Sequence, residues 1–278
     1  MKFKRWMAVF AAMVTAVSLA ACGNTKTNDT DKNTKDNTTE TASETTQIEG
    51  TVTIAAAASL EKVFNDELIP MFNEVYPDVT VEGTYDSSGK LQTQIEEGAD
   101  VDVFFSAATK QMDALKDEDM MEDDSIVDLL ENKIVLIVPS GEEGYSKFED
   151  IVNAQSVAIG DPESVPAGQY GKEALTNLNL WDQVEGKLSL GTNVTEVLNW
   201  VAASSAQAGI VYATDAASMP DQVDVVAEAP EGSSTKVIYP VGMLKNSKNP
   251  EAAKALIAFL QTDQASKVFE DAGFTIVE

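Results

Sequence analysis

Apolar and polar positions along this chain fall into two alternating patterns. Short runs of small and β-branched apolar residues read as strands, and longer stretches with apolar residues three and four apart read as helices. Thr51 to Ala56 predicts a buried strand, and Leu60 to Val75 carries Leu60, Val63, Phe64, Leu68, Met71 and Phe72 on one helical stripe. Val79 to Tyr85 predicts a second strand, followed by a polar turn and a helix over Lys90 to Glu97. Asp102 to Ser106 is a short strand, and Gln111 to Lys116 begins another helix. The pattern restarts after Asp128, with strands at Lys133 to Pro139 and Val157 to Gly160 and a helix over Tyr170 to Leu178. Val194 to Ala203 is helical, with Val194, Val197, Leu198 and Val201 on one face; Ala208 to Tyr212 and Thr235 to Leu244 are strands, and Pro250 to Leu260 is a helix. Such alternation predicts an α/β fold of mostly parallel sheets flanked by helices, with ligands beyond the strand ends. Two lobes are expected, residues 50–130 with 235–278 forming the first and 131–234 the second.

The first residues follow neither pattern. Lys2, Lys4 and Arg5 precede an almost wholly apolar run from Met7 to Ala21, too short for a comfortable membrane span, so residues 1–21 read as a secretory signal. The run ends Leu19-Ala20-Ala21-Cys22-Gly23, which resembles the lipobox of bacterial lipoproteins. That resemblance implies cleavage before Cys22, lipid on its thiol and attachment to the outer face of the cell membrane. Residues 22–49 are rich in Asn, Thr, Asp, Lys and Ser and poor in large apolar groups, so they read as a disordered tether behind the lipidated cysteine.

Charge and missing residue types narrow the function. The net charge is −27, and loss of the three basic residues of the signal segment would take it to −30. Nucleic acid is a poor partner for such a chain, because binding it requires basic surface to replace counterions. There is no His, which removes the commonest general base and zinc ligand, and Cys22 is the only cysteine. A thiol catalyst in the folded body and internal disulfides are therefore excluded. The balance shifts from catalysis to binding, with no metal or cofactor implied.

Four places share one design: a strand ends, small or hydroxyl residues follow, and a helix begins. They are Ala57-Ala58-Ser59-Leu60, Tyr85-Asp86-Ser87-Ser88-Gly89, Pro166-Ala167-Gly168-Gln169 and Thr192-Asn193-Val194-Thr195. A helix N-terminus offers free N–H donors and partial positive charge to an anion, and Ala or Gly lets a ligand approach the backbone. Each turn taken singly is more simply an N-cap; convergence of several on one cleft is what would make a site. Catalytic templates fail. Ser59 to Lys62 and Ser87 to Lys90 both fit Ser-x-x-Lys, but the companion Ser-Asp-Asn and Lys-Thr-Gly motifs are absent. Gly83 to Lys90 misses the P-loop spacing, and Leu91 stands where Ser or Thr would hold magnesium. The acidic cluster from Asp117 to Asp124 lacks the spaced calcium loop and reads as a solvated face.

Ala56-Ala57-Ala58-Ser59-Leu60, Gly160-Asp161-Pro162-Glu163-Ser164-Val165-Pro166-Ala167-Gly168 and Gly209-Ile210-Val211-Tyr212-Ala213-Thr214-Asp215-Ala216 together resemble the molybdate-binding proteins of bacterial ABC importers. The closing Gly273-Phe274-Thr275-Ile276 is similar too. The resemblance implies a two-lobed periplasmic-binding-protein fold (type II) with an oxyanion in the cleft. Carried over by motif, Ser59 and Ser88 would donate hydroxyls, Ala167 and Val194 backbone N–H groups, and Tyr212 its phenol. Ser87 is an additional candidate, and Asp86 is read as pointing outward to cap a turn. The implied partners are molybdate or tungstate and a membrane permease, the protein acting as a monomer. A sulfate carrier is one alternative, and a surface-interaction lipoprotein reusing the fold is another. A ring of neutral donors needs no Lys or Arg, and it would reject hydrogen phosphate, whose proton finds no acceptor.

Overall fold

The computed structural model describes residues 48–277, so the signal segment, Cys22 and nearly all of the tether lie outside the described residues. The first sheet contains β1 (Gly50–Ala57), β2 (Val79–Asp86), β3 (Val103–Phe105), β4 (Val127–Asn132), β10 (Val237–Met243) and β11 (Thr275–Ile276). Their spatial order is β11-β4-β10-β3-β1-β2. The second sheet contains β5 (Ile134–Pro139), β6 (Val157–Gly160), β7 (Leu188–Gly191), β8 (Ala208–Tyr212) and β9 (Val223–Glu228), in the order β7-β6-β8-β5-β9. The chain thus crosses from one sheet to the other beside Lys133 and returns between Glu228 and Val237, which makes two lobes.

Both sheets are mixed, which corrects the expectation of mostly parallel ones. β1 runs parallel to β2 and β3, and β6 parallel to β7 and β8. β10 is antiparallel to β3 and β4, β11 to β4, and β5 to β8 and β9. The crossing strands cause this. A chain that leaves one lobe and re-enters it later need not follow the right-handed helical crossover that keeps neighbouring strands parallel. Every residue of β6 and β8 is buried, as helices on both faces require. The strands missed by periodicity carry weak signals. β7 and β11 are short edges, β9 is half-exposed with Asp224 in it, and β4 is interrupted by Asp128 and Glu131.

Helical structure follows the first strand without a break over residues 58–75. Its middle, Phe64–Leu68, widens to a π-turn just before Pro70. Proline lacks the N–H that an α-turn would use there, so the wider turn absorbs the missing bond without breaking the helix. Two other helices begin earlier than the spacing predicts. One spans Ser88–Glu96 rather than starting at Lys90, and the other spans Pro166–Asn177 rather than starting at Tyr170. Pro166, suited to a first helical position by its fixed φ, leads the second. These shifts place Ser88 and Ala167 inside first helical turns. Among the described residues, no helix is long and apolar enough to cross a membrane.

Candidate functional site

The strand-to-helix turns meet. One small pocket, with a cavity volume of about 10 Å³, is lined by Ser59, Ser87, Ser88, Ala167, Val194 and Tyr212, together with Ala57, Ala58, Asp86, Ala107, Val165 and Pro166. All five residues implied by the family resemblance, and Ser87 as well, therefore face one space. They come from both lobes: Ser59 follows β1 and Ser87 follows β2, whereas Ala167, Val194 and Tyr212 follow β6, β7 and β8.

Each group arrives as a donor. The N–H groups of Ala167 and Val194 lie in the first turns of helices Pro166–Asn177 and Val194–Ala202, where the helix supplies no acceptor. Gly168 seats the former helix against the end of β6, since a Cβ there would lie 1.9 Å from the Gly160 carbonyl oxygen. Ser88 Oγ accepts the N–H of Ala107 at 2.9 Å, which leaves its own proton to point elsewhere. Ser87 Oγ is buried and has no hydrogen-bond partner within the protein. An unpaired buried hydroxyl costs free energy, so Ser87 has the stronger claim to a direct role. The Tyr212 hydroxyl makes a long bond, 3.4 Å, to the Ala107 carbonyl. Burial above all holds this phenol's pKa well above the usual value, so it stays a proton donor.

No Lys or Arg lines the pocket, and Asp86 is its one charged residue. Asp86 is not a loose charge aimed at an anion. It accepts the Ser87 N–H at 2.8 Å and the Asn193 side-chain amide at 3.3 Å, and it pairs with Lys90 at 3.3 Å. The outward orientation read from the sequence is corrected: Asp86 lines the pocket, and its bond to Asn193 crosses the cleft. Two neighbouring clefts that touch Ser59 carry Lys62 and Asp66, one with Glu67 and Asp271 besides and the other with Glu61 and Asp215, so acidic groups outnumber the single lysine and suit an anion poorly.

The lobes touch around the pocket. Gly89 N–H donates to the Ser164 carbonyl at 3.0 Å, and the side chains of Gln111 and Gln169 meet at 3.3 Å. The sequence reading assigned the turn glycines to close approach of a ligand. Gly89 and Gly168 instead admit another stretch of protein backbone. Sequence reasoning also missed three buried polar residues beside the pocket: Asn132, Asp215 and Tyr239. Tyr239 and Asn132 sit inside apolar strand patterns, and no local spacing marks them.

Donor-lined, lobe-enclosed geometry of this kind suits capture of a small solute, and sequence comparison agrees. Residues 52–275 match the family described as bacterial extracellular solute-binding protein. The chain belongs to that family. This solute-binding protein is 34% identical to the molybdate-binding protein ModA of Escherichia coli (strain K12), over 98% of this chain and 99% of that one. It is 37% identical to YvgL of Bacillus subtilis (strain 168), described as an ABC transporter substrate-binding lipoprotein, over 98% and 99% of the two chains. Among solved structures it resembles the substrate-binding domain described for a molybdenum ABC transporter of Clostridium difficile. That similarity has a TM-score of 0.64 and 38% identity, covering 82% of this chain and 99% of that one. The relatives and the two-lobed α/β fold identify an extracytoplasmic solute-binding protein, as the sequence resemblance implied.

Proposed function

We propose that this solute-binding protein captures molybdate, and tungstate equally, between its lobes and delivers it to the permease of an ABC importer. The observation that carries the reading is the meeting of three hydroxyl side chains, two helix-terminal N–H groups and one phenol on a pocket without a positive side chain. Molybdate is a tetrahedral dianion, and fixed dipoles in a water-poor site can replace its hydration shell through charge-assisted bonds. The relatives named for molybdate support this ion over other oxyanions. No member of the donor set has the activated base that nucleophilic catalysis requires, which favours a carrier over an enzyme. The lobes are read as residues 50–130 with 235–278 and residues 131–234, one copy sufficing for a site. Cleavage after residue 21 and lipid on Cys22 would tether the protein outside the membrane, and loss of palmitate labelling in Cys22→Ser would check this.

Titration calorimetry with molybdate, tungstate, sulfate and hydrogen phosphate tests the ligand. Molybdate and tungstate are expected to bind comparably, sulfate more weakly and hydrogen phosphate least. Sulfate binding as tight as molybdate binding would overturn the assignment in favour of a sulfate carrier. No binding by any of them would leave the surface-interaction lipoprotein.

The same titration ranks the hydroxyls. Ser87→Ala, Ser59→Ala and Tyr212→Phe should each weaken binding by about 10- to 100-fold, the scale of one hydrogen bond to a charged group. Ser88→Ala should also lower the thermal midpoint of the ligand-free protein, because Ala107 N–H loses its acceptor. If Ser87→Ala binds normally, Ser88 alone is the hydroxyl of that turn.

A further inference from the structure

Three buried groups outside the pocket lining form a chain that ends on Ser59. Asn132, at the end of β4 where the chain crosses between lobes, is almost fully buried. Its Oδ1 accepts the N–H of Lys133 at 2.8 Å, and that backbone group can only donate. The orientation of the amide is thereby settled, and Nδ2 becomes the end that donates elsewhere. Nδ2 gives one proton to Thr214 Oγ1 at 2.9 Å and the other to the Tyr239 hydroxyl at 3.2 Å. Having accepted from Asn132, the Tyr239 phenol still has one proton to place. The Ser59 hydroxyl lies 3.0 Å away. Tyr239 is fully buried, and its ring is held edge-on by Tyr212 and Phe274, at centroid distances of 5.6 and 5.4 Å, so its hydroxyl stays within reach of Ser59.

We infer that Asn132 and Tyr239 form a hydrogen-bond relay that orients Ser59 as a donor to the captured oxyanion. The inference rests on the oxyanion reading of the pocket and assigns its orientation. An isolated serine hydroxyl rotates and can accept as readily as it donates. In the relay Ser59 Oγ takes the proton of Tyr239, which frees its own proton for the pocket. Two consequences follow. The hydroxyl is pre-aimed and polarised, which strengthens its bond to a dianion. Accepting from Tyr239 also occupies one of the two lone pairs of Ser59 Oγ and makes it a poorer acceptor for a protonated anion, so part of the discrimination against hydrogen phosphate originates at Tyr239 (a positioning residue that does not line the pocket). Thr214 at the other branch follows β8 in the second lobe, so the relay is anchored from both lobes.

A double-mutant cycle tests the relay in the mature protein, with calorimetry for molybdate and for hydrogen phosphate at mildly alkaline pH, where phosphate carries one proton. Tyr239→Phe keeps the ring and removes only the hydroxyl. It should weaken molybdate binding by about three- to tenfold, the range of a neutral hydrogen bond. It should also narrow the preference for molybdate over hydrogen phosphate, because Ser59 regains the freedom to accept. In a Ser59→Ala background, Tyr239→Phe should change molybdate affinity by less than about twofold, since the effect passes through Ser59. Thermal melting of each ligand-free variant separates this from a folding defect, which would lower stability without removing the non-additivity. Additive losses in the double variant, or an unchanged preference between the two anions, would overturn the relay while leaving the oxyanion site intact. A wild-type protein that binds no oxyanion would overturn both.

Discussion

Gly89→Ala should lose molybdate affinity by about 10- to 100-fold and yet fold at least as stably as the parent protein. The argument starts from one distance. A Cβ built on Gly89 would lie 2.3 Å from the Ser164 carbonyl oxygen and 2.8 Å from its Cα, both of them backbone atoms of the opposite lobe. No rotamer change can relieve such a clash, so the lobes must move apart. Forced overpacking of this kind costs roughly 1–3 kcal/mol. That cost falls on the closed state alone, because an open cleft separates the two segments. Gly89 also occupies the second position of helix Ser88–Glu96, where Ala is the better helix former by up to about 1 kcal/mol. The substitution therefore divides two quantities that most variants change together. Calorimetry would read the affinity, denaturant unfolding without ligand would read the stability, and small-angle scattering with saturating molybdate should give a larger radius than for the parent. Parent-like affinity in a folded variant would show that closure at Gly89 is not part of capture.

The second large effect concerns Asp215, which follows the Tyr212 ligand candidate at the start of helix Ala213–Ala217. Its carboxyl is buried, and one oxygen, Oδ2, has no hydrogen-bond partner. Burial raises its pKa from 3.8 to about 7, against the opposing influence of backbone N–H groups. The sign follows from proton binding in the two states. Below about pH 4 the group is protonated in both the folded and unfolded chain and costs nothing. Between about pH 4 and 7 only the folded chain keeps the proton, so stability falls as pH rises. Above about pH 7 the full difference of roughly 3 pKa units has been lost, on the order of 4 kcal/mol. Asp215→Asn carries no such charge. Its stability relative to the parent should therefore improve steadily from pH 4 to pH 8, by as much as about 4 kcal/mol, in urea unfolding at each pH. A constant gap between the two proteins across that range would mean that Asp215 finds a partner or water in the folded state. The surface carboxylates that pair with lysines, such as Asp271 with Lys267, contribute little to this difference because both proteins share them.

Legibility differed sharply from residue to residue. The turns that hold Ser59, Ala167 and Val194 are visible locally, since each follows a strand and opens a helix, but their naming as ligands came from the family resemblance. Tyr212 too was named through the family motif, and there even the local pattern gave no hint, because its own surroundings read as a buried strand end. Ser87 and Ser88 could not be ranked until the structure showed which hydroxyl already had a partner. Asp86 looked like a charge in the wrong place, and a lysine four residues on and an asparagine in the other lobe supply its context. Asn132, Asp215 and Tyr239 were invisible as functional residues, since hydrophobic periodicity reports that a position is buried and says nothing of what a polar atom meets there.

By itself, then, the amino-acid sequence determined the alternation of strands and helices, the type of donor available at each turn, and the exclusion of histidine and thiol chemistry. These are properties of composition and of neighbours within a few residues, where backbone preference and burial periodicity act. The tertiary structure decided the mixed sheets, the meeting of turns from β1, β2, β6, β7 and β8 on one pocket, the backbone contact at Gly89, and the buried chain of contacts from Asn132 through Tyr239 to Ser59. Each of those depends on groups far apart along the chain, Ser59 and Tyr239 being 180 residues distant, brought together when two lobes pack. Hydrogen-bond direction in particular exists only once donor and acceptor share a place, so no reading of local pattern could have supplied it.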